Sequence, residues 1–202
     1  MQTRVRKIVT GGVFFALIIV LGISGLGFIP LPAGAAITIL QAPVIIAAIL
    51  EGPIVGFCTG LLFGIFSVIQ ASMAAVTPFD MAFIQYPWIA IVPRILIGPA
   101  AWLMYFLISG SFHKEKPIPP VREITAVITG AVTGSMINTI LVLSGLTMAL
   151  PEILNWPIVI KLISFNGIIE ACFSAGISLA VILPWKGIST RKKSKLNRKT
   201  II

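Results

Sequence analysis

Five polar side chains stand inside otherwise apolar stretches, and they set the chemistry open to this chain. Asn166 and Glu170 are four residues apart, with Ser174 and Ser178 continuing the series. On a helix that spacing puts all four on one face. Asn138 continues a row of Ala126, Gly130 and Gly134 at the same interval, Arg94 follows Pro93, and Gln41 lies two residues before Pro43. A charge at the centre of a bilayer costs somewhere between about 3 and over 10 kcal/mol, so such groups turn inward and need partners. At 1.5 Å per residue from the nearer apolar edge, Gln41 lies about 8 Å deep and Arg94 about 9 Å. Asn166, Asn138 and Glu170 follow at about 12, 14 and 18 Å. All five fall toward one side of the apolar layer, whose other side is nearly free of charge. Apolar walls with a few fixed polar groups are what a small-molecule pocket needs. An Arg94–Glu170 ion pair that only ties helices together is the competing reading, and the two are compatible.

Aromatic residues gather in the loops on that side: Phe79, Phe83, Tyr86, Trp88 and Trp156. Most such residues anchor a protein at the membrane interface. Tyr86 and Trp156, each beside a proline, are candidates to close over a ligand. Catalytic groups are scarce. The single histidine, His113, falls in a polar loop, so no His-ligated metal site is expected inside the membrane. Cys58 and Cys172 have no metal-ligand spacing and read as buried, inert thiols. There is no phosphate-binding G-x-x-x-x-G-K-[ST] and no nucleophile elbow. The chain reads as a binding protein or transporter, not an enzyme, with no cofactor; any ATP hydrolysis would belong to other subunits.

The elements that position these residues follow from composition. Of 202 residues, 57% are apolar and 10% charged, against about 25% charged in a soluble domain. Mean hydropathy is +1.06. A soluble chain of this size could not bury so much apolar surface, and a disordered one needs the opposite composition. The class left is an all-α polytopic membrane protein. At about 20 apolar residues per crossing, six helices are expected, over about 5–28, 36–50, 54–71, 88–109, 123–147 and 158–183. They form a single membrane domain over 1–202, with a basic tail over 186–202.

Six crossings put both termini on one side. Thirteen of the 15 Lys and Arg fall on that side, in the N-terminus, the loop from His113 to Arg122, and the tail. The excess predicts that both ends are cytoplasmic. The same distribution explains the net charge of +9 without nucleic acid as a partner, and the lipid bilayer is the partner expected instead. Small residues recur every fourth position, at Gly56, Gly60 and Gly64 and again at Ala126, Gly130 and Gly134. Such rows let helices pack closely in lipid. A further pair, Gly12 and Ala16, lies near the cytoplasmic end of the first span and could serve a partner protein.

Several segments taken together resemble a known family. They are Phe28-Ile29-Pro30-Leu31-Pro32, Ala42-Pro43 through Glu51-Gly52-Pro53, Gly60-Leu61-Leu62-Phe63-Gly64, Pro93-Arg94-Ile95-Leu96-Ile97-Gly98, and Asn166-Gly167-Ile168-Ile169-Glu170-Ala171. In order and spacing they resemble the substrate-binding (S) component of energy-coupling factor (ECF) vitamin transporters, and look most like the pantothenate-type subgroup. The resemblance implies a six-helix bundle like that of the riboflavin S component, in a prokaryotic plasma membrane. It implies capture of a water-soluble vitamin at the outer face and delivery inward with a membrane scaffold subunit and two ATPase subunits. Gly12 and Ala16 match the family's scaffold-contact positions. An anionic vitamin such as pantothenate suits Arg94, with Asn138, Asn166, Glu170 and Gln41 left for its polar groups and Tyr86 and Trp156 above them. S components for cobalamin, riboflavin, folate or pyridoxine, and a stand-alone secondary transporter, remain the alternatives.

Overall fold

The computed structural model describes residues 2–30, 36–73, 77–110 and 119–187. The basic loop with His113, Lys114 and Lys116, and the tail from 188 onward, lie outside the described residues. Among the described residues, five helical segments are long and apolar enough to cross a membrane: Arg4–Ile23, Pro53–Met73, Pro87–Ser109, Pro120–Ala149 and Trp156–Trp185. A sixth apolar helix, Gln41–Glu51, is shorter. The fold is that of an all-α membrane protein.

In chain order the elements are α1 (Gln2–Ile23), β1 (Phe28–Pro30), β2 (Ala36–Thr38), α2 (Gln41–Glu51), α3 (Pro53–Met73) and α4 (Pro78–Gln85). Then come α5 (Pro87–Ser109), α6 (Pro120–Ala149), α7 (Trp156–Leu162), a π-helical turn (Ile163–Gly167) and α8 (Ile168–Trp185).

Three features differ from the sequence expectation. The segment expected as a second crossing over 36–50 divides. Its start is strand β2, paired antiparallel with β1 so that Phe28 faces Thr38. Its remainder is the 11-residue α2, about 16 Å long, a sixth apolar helix shorter than the other five. Nearly every residue of α2 is buried, from Gln41 to Ile49 and again at Glu51. A helix apolar all round is stable only when other helices surround it, and α1, α3, α5, α6 and α8 all pack on it. The stretch expected as a loop over 72–87 contains α4. Thr77 and Asp80 close a capping box there, with Pro78 in the first turn, a signal present in the sequence. The last expected crossing is α7 and α8 joined through the π turn, and it begins at Trp156.

The small-residue rows do pack helix on helix. Gly56 lies against Gly98, and Gly60 against the backbone of Arg94. A Cβ on Gly60 would overlap the Arg94 carbonyl, so glycine is required where α3 crosses α5. Gly130 and Gly134 bring α6 onto Ala101, Tyr105 and Ile97 of α5. The thiols are not buried: Cys58 and Cys172 both face outward, in keeping with their place on apolar helices.

Polar contacts separate the two ends of the bundle. At the end where α1 begins and α8 closes, Arg6 of α1 pairs with the buried Glu51 at 2.9 Å. There too, buried Glu123 of α6 accepts hydrogen bonds from Tyr105 at 2.8 Å and Lys186 at 2.5 Å. The other end carries a small apolar cluster of Ala82, Ile89, Leu146, Leu154 and Val159, which seats α4 and α7. The remaining buried polar side chains concentrate between these two layers.

Candidate functional site

Arg94 is placed by a local fault in α5. Pro93 has no N–H to give its helix, which loosens the ladder there. The Arg94 side chain folds back, and its Nη1 donates to the Ala90 carbonyl at 2.7 Å. Its guanidinium lies between two rings, 5.0 Å from the centre of Phe63 and 5.2 Å from that of Phe83. Cation–π contacts of this kind are worth about 0.5 to 2 kcal/mol, more as water is excluded. Arg94 is only 8% exposed, and its Nε has no hydrogen-bond partner.

Glu170 does not pair with it. The ion pairs among the described residues are Arg6–Glu51 and Lys186–Glu123. Arg94 and Glu170 feel each other's charge without contact. The Glu170 carboxylate is held by its own donors, the Thr38 backbone N–H at 3.0 Å and the Thr139 hydroxyl at 2.7 Å. It therefore ties β2 and α6 to α8.

Gln41, in the first turn of α2, is fully buried at the centre of a second polar group. Its Nε2 donates to Ser135 at 2.7 Å and to Ser174 at 3.2 Å. Its Oε1 accepts from Asn138 Nδ2 at 3.0 Å. The Oδ1 of Asn138 is buried with no partner. Helix contacts set Asn138 at the level of Arg94: Gly134 meets Ile97 and Ala101, and Gly145 meets Ile89. Gln41, Asn138, Arg94 and Glu170 therefore form one buried polar layer on α2, α6, α5 and α8.

Asn166 stands apart from them. It is half-buried in the π turn, and its side chain makes no hydrogen bond to another described residue. A π turn holds one residue more than an α turn, so the inward stripe of Glu170, Ser174 and Ser178 continues to Gly167 instead. Tyr86, between α4 and α5, is 37% exposed, and Trp156, opening α7, is 55% exposed. Both sit at the end of the bundle nearer the polar layer, and neither joins it. The rings that flank Arg94 are Phe63 and Phe83. From sequence, Phe83 reads as an interfacial anchor and Phe63 as one more apolar residue of its span. Three-dimensional adjacency between α3, α4 and α5 produces that sandwich, and no motif announces it. Gly12 and Ala16 both lie exposed on the outer face of α1, where a Cβ on Gly12 would touch nothing.

Arg94 is thus a buried cation flanked by two rings with no acid in contact among the described residues, and Asn138 keeps a buried amide oxygen without a partner. Residues 6–184 match the family model described as "ECF transporter, substrate-specific component". The chain belongs to this family. This S component is thus a transport protein of a multi-pass membrane family, and the family is not one of enzymes. It is also similar to the pantothenic acid transporter PanT of Lactococcus lactis subsp. cremoris (strain MG1363). The two are 25% identical over 161 residues, covering 72% of this chain and 75% of the relative.

Proposed function

We propose that this S component captures pantothenate from outside the cell. Its partners in delivery inward are a membrane scaffold subunit and two ATPase subunits. The observation that carries the proposal is the state of Arg94: a buried guanidinium, held between Phe63 and Phe83, with one hydrogen bond and no acid in contact. A planar guanidinium binds a carboxylate through two parallel N–H bonds. The vitamin's carboxylate takes that place, and its hydroxyl and amide groups reach the layer of Asn138 and Glu170. Gly12 and Ala16 on the exposed face of α1 meet the scaffold, and both termini are cytoplasmic. The similarity to PanT supports the choice of vitamin.

Titration calorimetry with the detergent-purified protein tests the vitamin. Pantothenate is expected to bind, and the uncharged alcohol pantothenol to bind at least 100-fold more weakly. Equal affinity for the two removes Arg94 from the account. Uptake of labelled pantothenate by cells is expected only when scaffold and ATPase subunits are co-expressed.

A further inference from the structure

Gln41 and Asn138 differ in how far their hydrogen bonds are filled. Gln41 is 0% exposed, and both its Oε1 and its Nε2 are engaged. It is fully buried, with every polar atom of its side chain already partnered. Asn138 is 6% exposed and engages only its Nδ2, leaving Oδ1 buried with no partner. A buried acceptor left unmade costs about 1–3 kcal/mol, so native proteins rarely keep one without a use.

The pair also orients the Asn138 amide. With Nε2 turned to Ser135 and Ser174, Gln41 can show Asn138 only an acceptor. Asn138 answers with its N–H group, which leaves its oxygen buried and without a partner. We infer that Gln41 is a positioning residue that holds Asn138 as a hydrogen-bond acceptor. The ligand therefore carries a neutral hydrogen-bond donor, a hydroxyl or an amide N–H, at the part that reaches α6. The inference rests on the pantothenate reading and deepens it. The anionic end is read by Arg94, and the donor-bearing body is read by Asn138 under the control of Gln41. Sites that hydrogen-bond a ligand's donor reject analogues lacking it far more strongly than apolar sites reject a change of size.

The test compares pantothenate with three analogues, each lacking one donor. One is the ester isostere of its amide; the other two each lack one hydroxyl. Dissociation constants are measured for wild type, Asn138→Leu, Gln41→Leu and Gln41→Glu. In wild type at least one analogue should bind at least tenfold more weakly than pantothenate. That ratio should fall to within threefold in Asn138→Leu, where no acceptor remains. It should fall likewise in Gln41→Leu, where the Asn138 amide is free to turn. Gln41→Glu should keep the ratio, because a carboxylate still takes the Asn138 N–H while the two serine hydroxyls turn to donate to it. A ratio of constants does not depend on how much protein is folded, so general loosening of the bundle would not mimic this pattern. If either leucine variant fails to fold, wild type and Gln41→Glu still decide. Equal binding of all three analogues to wild type overturns the inference, as does a ratio that persists in Gln41→Leu or is lost in Gln41→Glu. These outcomes all require that pantothenate binds; its failure to bind wild type overturns the proposed function and the inference with it.

Discussion

Replacing Arg94 with methionine separates a binding role from a structural one. Methionine keeps an unbranched chain between Phe63 and Phe83 and makes favourable sulfur–ring contacts. It removes the charge and the hydrogen bond to the Ala90 carbonyl. That carbonyl remains within the α5 ladder, so losing the side-chain bond strands no acceptor. A hydrogen bond to a charged group contributes about 1.5–3 kcal/mol, and a carboxylate held through two N–H groups makes two. Gross stabilisation of the ligand is then about 3–6 kcal/mol, reduced by stripping water from its carboxylate. A net loss of about 3–4 kcal/mol weakens binding by about 100- to 1,000-fold. Stability should move the other way or not at all. Arg94 is a buried charge with no ion-pair partner among the described residues, and a buried charge that lacks one is costly to hold. R94M should therefore melt at or above the wild-type temperature while losing pantothenate. Melting is measured without ligand, because a bound ligand raises the midpoint by itself; binding is measured by calorimetry. An R94M protein that melts well below wild type yet binds pantothenate within threefold of it would refute the reasoning, since Arg94 would then hold helices and not ligand.

Gly60→Ala places a Cβ against the Arg94 carbonyl. Forcing α3 and α5 apart should cost about 1–3 kcal/mol, lowering the melting temperature and weakening pantothenate binding together, because the displaced backbone is that of Arg94. Glu123→Ala leaves the Tyr105 hydroxyl without its acceptor and Lys186 without its ion-pair partner. With Lys186 partly exposed, the loss should be about 2–3 kcal/mol, seen in thermal melts, while the dissociation constant stays within threefold because the polar layer lies toward the other end. Ala16→Trp adds bulk to an exposed face of α1. Purified protein should fold and bind as wild type, and cells should lose uptake if that face meets the scaffold; undiminished uptake would remove the face from the interface.

Composition and periodicity were enough to determine the class of this protein. An apolar content of 57% with runs long enough to cross a bilayer leaves few folds open. The small-residue rows at Gly56–Gly64 and Ala126–Gly134 were legible for the same local reason, since residues four apart share a face whatever surrounds them. So were the polar outliers Gln41, Arg94, Asn138 and Glu170, because a polar group inside an apolar run stands out without any structure. Tertiary packing decided what each of them does. Two shifts of backbone hid from the periodicity: the hairpin that shortens α2, and the π turn that carries Asn166 off the inward stripe. Neither changes the hydropathy of its segment, so neither leaves a trace in it. Partner choice was equally out of reach. Glu170 takes Thr38 and Thr139 rather than Arg94, and Arg94 takes Phe63 and Phe83, across five separate helices and a strand. A sequence records which residues are costly to bury. Which neighbours meet that cost depends on helix crossings set by contacts distant in the chain.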